Sequence, residues 1–158
     1  MLGVYVHIPF CRHKCLYCDF PSYSGLDCYM AGYVPALCRE IAATPYAGKP
    51  VDTIYIGGGT PSILSAPSME AIVRTLRQTF AVTGDAEITI EANPESLDRE
   101  KAEAYVACGI NRLSLGIQSF SDEMLSFLGR IHTAKEGEQA LDAAWKAGIR
   151  NLSIDLMY

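Results

Sequence analysis

The chain has no apolar run approaching the ~20 residues that a membrane-spanning helix needs. It has no excess of positive charge either: 13 Lys and Arg stand against 18 Asp and Glu, a net charge of -5. Without a basic stripe to neutralise phosphates, nucleic acid is excluded as a main partner. The start, Met1-Leu2-Gly3, leads straight into a strand with no room for a charged and apolar leader, so a cytoplasmic, reducing setting is expected. A disulfide framework is not expected in such a setting. Internal repeats and low-complexity segments are lacking. The glycine-rich run Gly57-Gly58-Gly59-Thr60-Pro61 lacks the Gly-Lys-Ser/Thr of a phosphate loop and the spacing of a dinucleotide fingerprint. What is left is ordinary: 158 residues, 49% hydrophobic and 20% charged, enough for one domain with its own core.

The unusual feature is Cys11-Arg12-His13-Lys14-Cys15-Leu16-Tyr17-Cys18, three thiols directly after the apolar stretch Val4-Tyr5-Val6-His7-Ile8. A structural zinc site closes with four protein ligands, and a ferredoxin-type cluster takes four cysteines. Three close thiols therefore suggest a metal centre with one position open for chemistry. Zinc held by the three cysteines and His7 or His13 is the alternative reading. Cys28, Cys38 and Cys108 read as ordinary small hydrophobes.

Strands are expected at residues 4–8, 53–56, 86–91, 112–117 and 151–157, with helices between them. The first helical stripe is Met30, Tyr33, Val34, Leu37, Cys38 and Ile41, which places Pro35 in an opening turn. The second is Met69, Ile72, Val73, Leu76 and Phe80, entered through Ser65. A third helix runs from Asp98 as N-cap to Gly109. A fourth opens on the capping box of Thr133 and Glu136 and closes at Gly148, with Gly137 inside it at a cost of roughly 1 kcal/mol. Residues 122–128 form one short extra helix.

Such alternation implies right-handed crossovers and a mainly parallel sheet. A parallel sheet covered on both faces would carry nearly continuous apolar strands. Here Val4, Val6, Ile8, Ile54, Ile56, Ile88, Ile90, Leu113, Leu115, Ile117, Leu152, Ile154 and Leu156 share one parity, while Tyr5, His7, Thr53, Tyr55, Thr89, Glu91, Ser114, Gly116, Gln118, Ser153 and Asp155 share the other. Either one face meets water, or it lines the hollow of a wide, incomplete barrel. The cysteines, the glycine run, Glu91, Gln118 and Asp155 all fall at the carboxyl ends of strands, where parallel barrels and open sheets bind ligands.

The C-x3-C-x2-C loop resembles that of the radical S-adenosylmethionine (SAM) superfamily. The motifs Tyr5-Val6-His7-Ile8-Pro9-Phe10-Cys11, Gly57 to Ser62, Ile90-Glu91-Ala92-Asn93-Pro94, Arg112 to Phe120, Leu128-Gly129-Arg130-Ile131-His132 and Ile154 to Tyr158 narrow the likeness. They resemble the oxygen-independent coproporphyrinogen III oxidases and the related radical SAM heme chaperones. This resemblance implies an α/β fold, the N-terminal part of an incomplete TIM-like (β/α)6 barrel of parallel strands. Residues 1–158 would be a radical SAM core domain truncated at its C-terminal side, its last strand an unpaired edge.

The resemblance further implies a [4Fe-4S] cluster on Cys11, Cys15 and Cys18, an electron from which breaks a carbon–sulfur bond of S-adenosyl-L-methionine. It implies SAM contacts at Tyr5, Tyr17, Gly58, Gly59, Thr60, Glu91, Gln118, Arg130 and Asp155. The oxidases carry a further cysteine two positions after the third cluster ligand, and Phe20 stands there instead. A heme chaperone that delivers heme to acceptor proteins, membrane-bound ones included, is thus the first expectation. The oxidase, a radical decarboxylase of a porphyrinogen, is second, and a structural zinc module third. Either SAM reading calls for an electron donor protein and for heme or a porphyrinogen. No heme ligand is named; His132 reads as a surface histidine.

Overall fold

The computed structural model describes residues 2–158. In chain order it contains β1 (Leu2–Ile8), β2 (Phe10–Cys11), β3 (Tyr23–Ser24), α1 (Met30–Ala42), β4 (Pro50–Gly58), α2 (Ala66–Thr79) and β5 (Ala81–Ala92). Then come α3 (Arg99–Cys108), β6 (Arg112–Gln118), α4 (Asp122–Phe127), α5 (Ala134–Ala147) and β7 (Asn151–Leu156). One five-stranded sheet runs β1-β4-β5-β6-β7, every pair parallel. Each step to the next strand crosses over through a helix, so α1, α2, α3 and α5 pack side by side along one face.

The apolar parity faces those helices except on the edge strand β7, where Ile154 and Leu156 are exposed because no further element covers that strand among the described residues. Ile54, Ile56, Ile88, Ile90, Leu113, Leu115 and Ile117 are fully buried, beneath Met69, Ile72 and Leu76 of α2, Tyr105 of α3, and Ala140 and Ala144 of α5. At ~1.5–3 kcal/mol for each large apolar side chain removed from water, this layer is the main stabilising term. Gly137 has a reason to be in α5: a Cβ there would lie 3.1 Å from Ile117 Cδ1, so glycine lets the helix settle onto β6. Among the described residues, no helix is long and apolar enough to cross a membrane.

The expected caps are present. Ser65 and Asp98 each accept from a backbone amide of the first turn, and Thr133 with Glu136 closes a capping box; Ser121 caps α4 in the same way without having been expected. Gly109 and Gly148 end their helices in the left-handed conformation, at φ 97° and 103°. Pro35 differs from expectation. It is the sixth residue of α1 rather than part of an opening turn, because the helix starts at Met30 directly after a 3-10 turn. Its missing N–H leaves the Ala31 carbonyl without an intrahelical donor. Cys28 is exposed and does not pack as a small hydrophobe, whereas Cys38 and Cys108 do pack against the core. Strand β5 starts at Ala81, not Ala86: Ala81 and Val82 pair with Pro50 and Val51 before an irregularity resets the register at Glu87.

Candidate functional site

The cysteine loop is pinned at both ends. Phe10 and Cys11 in β2 pair with Tyr23 and Ser24 in β3, and the Tyr23 amide donates to Pro9 O at 2.8 Å. Inside the loop, Cys18 N donates to Cys15 O at 3.1 Å, and Lys14 Nζ reaches Phe20 O at 3.2 Å. His7 Nε2 lies 2.9 Å from Pro21 O, and because a carbonyl only accepts, that nitrogen carries the proton. Nδ1 then accepts from Tyr5 Oη at 3.0 Å. His7 is a bracket between β1 and the loop, with both ring nitrogens occupied.

The glycine run packs beneath the loop. Gly59 N donates to Ile8 O and Thr60 N to Phe10 O, both at 2.8 Å, while Gly58 N donates to Glu91 Oε2 at 3.1 Å. With these amides spent, the turn offers carbonyl oxygen rather than N–H to any ligand. Gly59 is required by contact: a Cβ there would lie 2.6 Å from Phe10 O and 2.9 Å from Cys11 Sγ.

The loop and the strand ends enclose a cavity of about 170 Å³. Cys11, Cys15, Cys18, Tyr17, Gly58, Gly59, Thr60, Glu91, Gln118, Arg130 and Asp155 all line it. Tyr5 does not; it stacks on Tyr55 farther back along the polar face, ring centroids 6.2 Å apart. The volume is below the ~300–1,000 Å³ that encloses a whole small-molecule ligand, so a cofactor-sized molecule would extend out along the polar face of the sheet.

Two sulfurs carry identifiable donors. Thr60 Oγ1 lies 3.5 Å from Cys11 Sγ, and Arg130 Nη1 lies 3.3 Å from Cys15 Sγ. Arg130 is half-buried, and although burial disfavours its charge, Cys15, Tyr17 and Glu95 more than offset that cost. Glu91 accepts from Tyr55 Oη at 2.7 Å. Burial first, then this hydrogen bond and the Glu91 charge, push the Tyr55 phenol well above its ordinary range. Ser114 Oγ donates to Asp155 at 3.4 Å, and Gln118 is the one non-glycine residue at positive φ, 64°, among the described residues.

Cys11, Cys15 and Cys18 line one shared cavity, a donor set that suits an iron–sulfur cube, in which each thiolate would bind a different iron. An arginine beside one sulfur also suits an anionic cluster.

Two residues take places that the sequence did not suggest. Asn93 joins Arg130 to Thr60: its Oδ1 accepts from Arg130 Nη2 at 2.7 Å, and its Nδ2 donates to Thr60 Oγ1 at 3.1 Å. His132 is buried, not a surface histidine. Its Nε2 meets Ile117 O at 3.1 Å, and its Nδ1 lies 3.5 Å from Glu95 Oε2, within ion-pair reach but long for a hydrogen bond.

Residues 5–158 match the model of the Radical SAM superfamily. The chain is 44% identical over 161 residues to the heme chaperone HemW of Synechocystis sp., covering 98% of this chain and 39% of that protein. It is 42% identical over 163 residues to the heme chaperone HemW of Escherichia coli, covering 99% of this chain and 42% of that protein. Among solved structures it is similar to the coproporphyrinogen III oxidase HemN of Escherichia coli, a radical SAM enzyme, with a TM-score of 0.91 and 32% identity. That match covers 99% of this chain and 37% of HemN. The chain thus spans about two fifths of the length of the curated relatives it matches.

Proposed function

The chain belongs to the radical SAM superfamily, and from that premise we propose that residues 1–158 are the radical SAM core of a heme chaperone. The observation that carries the choice within the family is Phe20. It lies exposed on the cavity wall two residues after Cys18, where the oxidase-like pattern has another cysteine. The identity to the two HemW chaperones points the same way.

In this reading Cys11, Cys15 and Cys18 hold a [4Fe-4S] cluster and leave one iron for S-adenosyl-L-methionine. When bound, the cluster supplies a single electron to the sulfonium. Arg130 sets a fixed positive charge against Cys15 in a site partly shielded from water, where charge interactions are stronger than in bulk. The carbonyls of the Gly58–Gly59 turn suit a ligand ammonium. Glu91, Gln118 and Asp155 offer acceptors to hydroxyl or amino groups, and Thr60 and Tyr17 close the wall near the sulfurs. Tyr5, outside the cavity, fits the part of the ligand that extends along Tyr55. An electron donor protein in the cytoplasm would supply that electron, and heme would pass to acceptor proteins, membrane-bound ones included.

The likeness to HemN favours the oxidase as second reading. Titration of the full-length, anaerobically reconstituted protein with heme, beside an assay of coproporphyrinogen III decarboxylation with SAM, separates the two. The chaperone reading expects heme retained through gel filtration, with no decarboxylated product. Product without heme retention reverses the order.

A further inference from the structure

The hydrogen bonds around Asn93 form one continuous chain from sulfur to sulfur. It runs from Cys15 Sγ to Arg130 Nη1 at 3.3 Å, from Arg130 Nη2 to Asn93 Oδ1 at 2.7 Å, from Asn93 Nδ2 to Thr60 Oγ1 at 3.1 Å, and from Thr60 Oγ1 to Cys11 Sγ at 3.5 Å. The two ends of the Asn93 amide thus act on two different cysteines. Its backbone is fixed as well: Asn93 N donates to Ser62 Oγ at 3.2 Å, and Asn93 O accepts from Ser96 Oγ at 3.0 Å. Lys101 Nζ clamps both flanking turns through Ser62 O and Ser96 O. Space for the amide comes from β6, where a Cβ on Gly116 would lie 2.7 Å from Asn93 Oδ1.

We propose that Asn93 is a positioning residue for the cluster, one that directs the Thr60 hydroxyl onto Cys11 and the Arg130 guanidinium onto Cys15. The directionality follows from donor chemistry. Asn93 Nδ2 can only donate, so Thr60 Oγ1 accepts from it and its own proton is left for sulfur. Asn93 Oδ1 can only accept, so it holds one arm of the guanidinium fork and leaves the other for Cys15. Hydrogen bonds and positive charge at cluster sulfurs favour the more negatively charged reduced state and raise the reduction potential. The inference rests on the cluster reading of the three thiols.

Asn93→Asp tests it. The carboxylate accepts at both ends, so Thr60 turns its proton away from Cys11 and the added negative charge competes for Arg130. The reduction equilibrium of the reconstituted cluster, read by EPR-monitored titration, is expected to shift at least tenfold toward the oxidised form, ~59 mV for one electron. Thr60→Val removes the same sulfur donor directly and should shift the equilibrium the same way. The double variant should shift less than the sum, since both changes act on one bond. Wild-type potentials in iron-loaded variants, or strict additivity, overturn the inference. If Asn93→Asp fails to load iron, Thr60→Val decides alone. A wild-type chain that takes up no cluster refutes the underlying reading instead.

Discussion

A methyl group at position 59 has nowhere to go, with backbone oxygen on one side and Cys11 Sγ on the other. Gly59→Ala should therefore lift the cysteine loop off the strand ends. The expected cost is about 1–3 kcal/mol in chemical denaturation, with iron retention after reconstitution reduced. Glu95 gives a pH signature. Burial raises its carboxyl, but the approach of His132, a backbone amide and Arg130 outweigh that and hold it below its ordinary value of 4.5. A depressed folded-state value means stability that is present above 4.5 and lost as pH falls through the lower folded value. Glu95→Gln is expected to cost about 1–3 kcal/mol at neutral pH, as for a buried carboxylate that loses its charge-assisted hydrogen bond. Urea denaturation should show that gap closing in acid; a constant gap would contradict the assignment. Neither Asn93 nor His132 announced its role in the sequence. An asparagine before a proline reads as a turn, and a histidine between an isoleucine and a helix cap reads as surface. Both roles depend on side chains 33 to 37 residues away, which no local pattern reveals.

At the level of elements, the caps and the apolar stripes were legible because each depends on residues a few positions apart. Three features escape such patterns. Val82 pairs with Val51 ahead of the irregularity, so β5 begins at Ala81 rather than Ala86. The β2–β3 pair has two residues per strand, too short for any periodicity to mark. Pro35 sits mid-helix because the preceding 3-10 turn moves the start of α1 to Met30. As Pro35 is exposed, replacing it loses no packing. Pro35→Ala should stabilise the chain by about 2 kcal/mol, the ~3 kcal/mol interior cost less the entropy proline removes from the unfolded chain. Denaturation with an unchanged midpoint would show that α1 tolerates the missing bond at no cost.

For the molecule as a whole, the division of the sheet into apolar and polar faces was readable from strand parity, and it decides where chemistry can occur. One face carries the helices and the core. The other keeps Glu91, Ser114 and Asp155 for a cavity that the cysteine loop roofs at the carboxyl ends of the strands. The central claim is that three thiols there hold a cluster with one iron open to SAM. EPR of the anaerobically reconstituted and reduced chain, with and without SAM, tests it most directly. The account predicts about four irons per chain and a spectrum that changes when SAM is added. Bound zinc without iron, or a cluster spectrum indifferent to SAM, would contradict it.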